Sequence, residues 1–213
     1  MSPGASLNEN VVRERMVRLA QSLHARGLSP GSSGNISVRL ADGYLMTPTN
    51  ACLGDLDPSR LARLDRNFLP IAGDPPSKEV YLHRAYYSAR EQAGAVVHLH
   101  STHAVAVSCL ADIDPNDCLP PITPYFVMKI GQLPRLPYFR PGDPAMGDAV
   151  HALAARHVAL LLANHGPVVS GATLDDAVNN AEELEETAKL FLLLRQHSIR
   201  VLEPDQIAAL KRP

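Results

Sequence analysis

The dipeptide Asp42-Gly43 constrains the fold of this chain more than any other short feature. It lies between Ile36–Leu40 and Tyr44–Thr47, and Asp-Gly between two strand-forming runs is the turn of a β-hairpin. The sheet therefore opens with an antiparallel pair. Further on, strands alternate with helices. Gly94–Leu99 and Ala159–Ala163 are short apolar strands, and the second resumes at Val168-Val169 after the turn Asn164–Pro167. Asn8–Arg26 carries Val12, Met16, Leu19 and Leu23 on one stripe of an amphipathic helix, closed by Gly27. Ser77 reads as the N-cap of a helix running to about Arg90. Helical patterns follow over Ser101–Leu110, Gly147–Arg156, Asp175–Gln196 and Asp205–Lys211, with a long proline-rich connection at Asp114–Pro144 and a strand near Leu133–Pro137. A hairpin inside an alternating chain predicts a mixed α/β sandwich, not a purely parallel doubly wound sheet. Neither a repeat nor a linker divides the chain, so residues 1–213 are expected to form one domain.

Composition excludes several functions. Lys+Arg is 20 against 22 Asp+Glu, a net charge of −2, which argues against a nucleic-acid partner bound by phosphate neutralisation. The longest apolar run, Val158–Ala163, is far shorter than the roughly 20 residues of a spanning helix. Cys52, Cys109 and Cys118 have no C-x-x-C spacing, and the N-terminal segment has no apolar core of secretory type. These features predict a reduced, cytoplasmic protein with no membrane partner.

Chemistry concentrates in the histidines. His98 and His100 are i and i+2 on one strand, so both project to the same face. Two imidazoles on a rigid strand form two legs of a metal site, and His165, in the turn after Ala159–Ala163, offers a third. Three neutral nitrogen donors suit Zn2+ first, with Mn2+, Co2+ or Fe2+ as alternatives. An isolated H-x-H is also an ordinary pair on a half-buried strand, and His103, past the strand end, reads as structural or surface. Glu79, at the start of a helix, is either a functional carboxylate or a complement to the helix dipole. The loops Ser32–Asn35, Thr47–Asn50 and Ser77-Lys78 are rich in hydroxyls and amides, which serve equally as turns or as phosphate cradles.

Taken in order, Ser33-Gly34-Asn35, Thr47-Pro48-Thr49, Pro76-Ser77-x-Glu79, Val97-His98-Leu99-His100 and Asn164-His165-Gly166 resemble the class II aldolase/adducin family, from about Val11 to Leu194. The resemblance implies an α/β/α sandwich with a largely antiparallel central sheet, assembled as a homotetramer with active sites between subunits. It implies metal ligation by His98, His100 and His165, with Glu79 as catalytic carboxylate and further ligand. It places the phosphate of a phosphorylated substrate against Gly34, Asn35, Thr49, Asn50, Ser77 and Lys78. Tyr125 falls where family aldolases carry a catalytic tyrosine, although a packed structural ring would read the same.

Within the family the likeness is strongest to members that decarboxylate 3-oxo-tetronate 4-phosphates, carried by PSKEVYLH, AVVHLHSTHAVAVSCL, PYFRPGD and LLANHGPVVSG. The implied reaction loses CO2 from a phosphorylated sugar acid through a metal-stabilised ene-diolate and yields dihydroxyacetone phosphate. Two departures from the family's aldolases matter: Lys78 replaces a serine, and Asn50 replaces a glycine. A cation at Lys78 suits a substrate with a carboxylate as well as a phosphate. The alternatives are an aldolase cleaving a ketose 1-phosphate and, further off, a non-catalytic adducin-like scaffold.

Overall fold

A computed structural model describes residues 8–210. Strands β1 (Asn35–Leu40) and β2 (Gly43–Met46) pair antiparallel with Leu40 opposite Gly43, so the hairpin forms where Asp42-Gly43 demands it. Strands β3 (Ala62–Leu64) and β4 (Pro70–Ala72) extend this edge. On the other side β1 pairs with β5 (Ala95–His98), β5 with β8 (Gly166–Gly171), β8 with β7 (Ala159–Leu162), and β7 with β6 (Arg135–Leu136). The order is β4-β3-β2-β1-β5-β8-β7-β6. Only β6–β7 is parallel, so the sheet is mixed and largely antiparallel, as the early hairpin implies.

Helices cover both faces. They are α1 (Glu9–Ala25), α2 (Val80–Ala89), α3 (Thr102–Ser108), α4 (Pro124–Lys129), α5 (Pro144–Ala154), α6 (Leu174–Leu194) and α7 (Pro204–Leu210). The period-2 alternation of the strands sorts the core into two layers. Ile36, Val38, Val97, Leu161 and Val169 pack with Met16, Leu23, Phe126 and Leu184 from α1, α4 and α6. Met46, Val96, Leu160 and Val168 pack with Leu82, Tyr86, Met146 and Val150 from α2 and α5. His98 is two residues from Val96, so its side chain faces the α2 layer.

Three local expectations need correction. Ser77 is not the N-cap of α2; that position is Glu79, whose side chain makes no capping bond, while the Ser77 Oγ accepts the Glu79 N–H at 3.3 Å. The stretch Asp114–Pro144 is not wholly a connection, because it holds α4. Thr123 caps that helix through a 3.2 Å bond from Phe126 N–H, and Pro124 supplies its first residue. Helix α5 starts at Pro144, not Gly147, because Asp143 accepts the Ala145 N–H at 3.0 Å. Strands β3 and β4, three residues each, are too short to show a period in sequence. The last residue of the expected terminal helix, Lys211, lies outside the described residues.

Candidate metal centre

The site forms where the ends of β5 and β8 meet the start of α2. His98 closes β5, and antiparallel pairing sets it opposite Val168 on β8 and Asn35 on β1. His165 stands in the turn before β8, held by its own N–H to Leu162 C=O at 3.1 Å. Gly166 makes the turn possible: its φ is 149°, and a Cβ there would meet the Leu99 carbonyl oxygen at 2.4 Å. The segment carrying His98 and His100 is thereby packed against the turn carrying His165.

The three imidazoles converge. Ring centroids are 5.0 Å apart for His98–His100, 4.9 Å for His98–His165 and 4.8 Å for His100–His165, all edge to face. His98 Nε2 lies 3.2 Å from His100 Nε2 and 3.5 Å from Glu79 Oε2, while His165 Nε2 lies 3.4 Å from Glu79 Oε1. One donor atom from each of the four residues falls within 4.8 Å of the others.

The tautomer of His98 tests whether a cation fits. Its Nδ1 donates to the Pro167 carbonyl at 2.9 Å, so a neutral ring turns a bare Nε2 lone pair into the cluster. Burial keeps that ring neutral, only partly opposed by Glu79, and burial with its neighbouring histidines pulls His100 down to about 4. Burial works to raise the Glu79 carboxyl, but the hydrogen bonds from His165 and Asn35 oppose it, and the group stays below the ordinary carboxylate range. Neutral nitrogens and an ionised carboxylate pointing at one centre are the donor set of a divalent transition metal.

Glu79 is held from the other side by Asn35, whose Nδ2 donates to Oε2 at 2.7 Å. Beyond it a cavity of about 430 Å³ opens, lined by Gly34, Asn35, Thr49, Asn50, Ser77, Lys78, Glu79 and His100. The loops of Thr49 and Ser77 are zipped together, with Thr49 N–H on Pro75 C=O at 2.9 Å and Ser77 N–H on Thr47 C=O at 3.1 Å. Gly34 has φ 77°, and a Cβ there would strike Ser29 Oγ at 2.6 Å. Gly34, Asn35, Thr49, Asn50, Ser77 and Lys78 therefore share one cavity with the carboxylate, while Thr47 is buried behind it.

Two residues fall elsewhere. Tyr125 is 62% exposed on α4 and does not line this cavity. His103 bonds through Nδ1 to Glu185 at 2.8 Å, and Glu185 also accepts the His103 and Ala104 N–H groups, so this histidine secures the start of α3. Sequence reading overlooked Pro141 and Gly142, which complete the cavity wall, and His83, buried one helical turn after Glu79. The spacing of His83 from Glu79 was its visible signal.

Comparison with known proteins places this geometry. A sequence model of the class II aldolase and adducin N-terminal domain matches residues 14–192. The chain is 50% identical over 204 residues to a 3-oxo-tetronate 4-phosphate decarboxylase of Escherichia coli O6:H1, covering 95% of this chain and 96% of the relative. It is 32% identical over 206 residues to the L-fuculose phosphate aldolase of Escherichia coli K12, covering 95% and 93%. The crystal structure of YgbL from Klebsiella pneumoniae superposes with a TM-score of 0.94 at 47% identity, covering 98% of this chain and all of that one.

Proposed function

The chain belongs to the class II aldolase and adducin family, and from that premise we propose that it is a metal-dependent carboxy-lyase converting a 3-oxo-tetronate 4-phosphate to dihydroxyacetone phosphate and CO2. The observation that carries this reading is the 50% identity, across 95% of the chain, to a decarboxylase of that substrate. The complete cluster of Glu79, His98, His100 and His165 supports it and disfavours a non-catalytic scaffold.

His98, His100 and His165 hold the ion with Glu79 as a further donor; Zn2+ fits first, Mn2+ or Co2+ as alternatives. When bound, the ion supplies a Lewis acid for charge that builds on the substrate oxygens. The Thr49 and Ser77 N–H groups are already engaged at 2.9 and 3.1 Å. The substrate phosphate therefore meets the hydroxyls of Thr49 and Ser77, the Lys78 ammonium and the backbone at Gly34 and Asn50. Lys78 also steers the carboxylate as a point charge, without the bidentate grip that would stabilise the group due to leave.

The bond that breaks joins C1 to C2, its electron pair moves toward the C3 ketone, and C2 must then gain a proton. Glu79 delivers it. Oε2 is held by Asn35 at 2.7 Å, so Oε1, 3.4 Å from His165 Nε2, is the oxygen that carries the proton once it turns from the cluster to the substrate. Because the resting carboxylate is ionised, that proton comes from water in the cavity.

The same reading takes residues 1–213 as one domain, which a single sheet covered by helices on both faces supports. It also takes the protein as a cytoplasmic homotetramer. No helix among the described residues is long and apolar enough to cross a membrane. Tyr125 and Met128 are exposed apolar groups on α4, which supports contact with a second copy there. Tyr125, outside its own cavity, then serves a neighbouring site.

The test is CO2 and dihydroxyacetone phosphate release from 3-oxo-tetronate 4-phosphates, alongside metal analysis and light scattering of the same preparation. Equimolar products, bound metal and a mass near four times 23.0 kDa are expected. Cleavage of a ketose 1-phosphate with no CO2 release overturns the decarboxylase in favour of an aldolase.

A further inference from the structure

A row of polar side chains lies between β1 and α2, in a layer built mainly of apolar groups. Along β1, Asn35, Ser37 and Arg39 share the face turned to α2. Opposite them, Glu79, His83 and Tyr87 follow one another at intervals of four along α2 and its N-cap. Four helical residues rise about 6 Å and two strand residues about 6.6 Å, so the two rows stay in step. Asn35 Nδ2 donates to Glu79 Oε2 at 2.7 Å. His83 bonds to Asn35 Oδ1 at 2.6 Å through Nε2 and to Ser37 Oγ at 2.7 Å through Nδ1. Ser37 Oγ also meets Tyr87 Oη at 2.9 Å, and the Arg39 guanidinium lies 4.8 Å above the Tyr87 ring. Asn35, Ser37, His83 and Tyr87 are all buried.

Donor and acceptor chemistry gives this row a single direction. An ionised Glu79 only accepts, so Asn35 must offer it Nδ2 and turn Oδ1 to His83. An amide oxygen only accepts, so His83 Nε2 must carry a proton. Burial pulls His83 down to about 3, which keeps the ring neutral and leaves Nδ1 bare. Nδ1 then accepts a hydrogen bond from the Ser37 hydroxyl. Ser37 in turn accepts from Tyr87, whose phenol burial holds in its protonated form.

We propose that His83 is a positioning residue: as the Nε2–H tautomer it fixes the orientation of the Asn35 amide, which pins Oε2 of Glu79 and thereby sets the direction in which Oε1, beside His165, points. Without the His83 donor the Asn35 amide can flip. A flipped amide sets Oδ1 against the carboxylate, which swings away from the substrate and from the histidine cluster. His83 touches neither substrate nor metal. The consequence for turnover rests on Glu79 being the proton donor of the proposed reaction, whereas the tautomer and the amide orientation do not.

Nitrogen-15 NMR of histidine-labelled protein, zinc-loaded and metal-stripped, reads the tautomer directly, with His83 assigned through its ring carbons. A protonated Nε2 and a bare Nδ1 in both forms are expected; an Nδ1–H tautomer overturns the proposal. Kinetics of two variants complete the test. His83→Phe keeps ring volume and loses both bonds, so kcat should fall about 10–100-fold with KM within about threefold. His83→Gln restores a donor toward Asn35 Oδ1 and should recover most of that loss. Equal losses in the two variants, or none in His83→Phe, overturn it. Should His83→Phe fail to fold, the wild-type tautomer and His83→Gln still decide. Wild-type turnover in Glu79→Gln would instead sink the catalytic role of Glu79 and leave the tautomer result standing.

Discussion

At the scale of single residues, the site depends on which atoms of Glu79 are engaged. Its carboxylate bonds to Asn35 at 2.7 Å and lies near His98 and His165 at 3.5 and 3.4 Å, so one group both completes the donor set and faces the cavity. The substitution Glu79→Gln keeps shape but removes the negative charge and the capacity to carry a proton. Turnover should fall on the order of 10²–10⁴-fold, with metal content near wild type because three imidazoles remain. Parallel kcat and metal measurements check this, and near wild-type turnover would show that Glu79 only complements the helix start. Tyr125 illustrates the opposite case: its position in sequence says nothing of where its ring points, and the fold sets it on the exposed side of α4.

At the scale of elements, the site is a property of strand ends. The β5–β8 register sets His98 against Val168, and Pro167 C=O takes both the His98 ring proton at 2.9 Å and the Leu99 N–H at 3.3 Å. A single carbonyl on β8 thus orients a candidate ligand on β5. The contact of Gly166 with Leu99 is the tightest part of this junction, 2.4 Å for an added Cβ. Gly166→Ala should push the His165 turn away from the His98–His100 segment. Metal affinity should drop about 10–100-fold, as for other losses behind a metal ligand. The backbone shift should cost roughly 1–3 kcal/mol of stability. Chelator competition and urea unfolding measure the two effects; unchanged affinity would mean that the turn relaxes without moving His165.

At the scale of the whole molecule, two apolar layers clamp one eight-stranded sheet, and the candidate metal cluster sits at the strand ends beside them. A chain of 213 residues buries enough surface to fold without a structural metal. Chelation should therefore abolish activity while leaving the far-ultraviolet circular dichroism and cooperative unfolding in place. The midpoint should fall only by what binding contributed by mass action. Re-addition of Zn2+ should restore turnover. Collapse of the circular dichroism on chelation would make the cluster a structural site.

Sequence alone settled what is local. The Asp42-Gly43 hairpin, the stripe Val12–Met16–Leu23 and the apolar strands around Val97 and Leu161 follow from turn chemistry and from the periods 2 and 3.6, which need only neighbours along the chain. The pair His98 and His100 was legible for the same reason, since alternation along a strand fixes their common face. Helix α4 was missed inside its prolines, although Thr123-Pro124 is a start signal, because six residues carry too little periodicity. The tertiary structure decided the rest. No local rule brings His165 within reach of His98, or joins loops at 34, 49 and 77 into one cavity; the family resemblance implied both, and strand order and register produce them. The ladder from Tyr87 to Glu79 needs β1 and α2 packed in step, and its hydrogen-bond direction exists only once Asn35 sits between a carboxylate and a buried imidazole. Such contacts join residues more than forty positions apart, where the path of the backbone, and not any local preference, sets the distance.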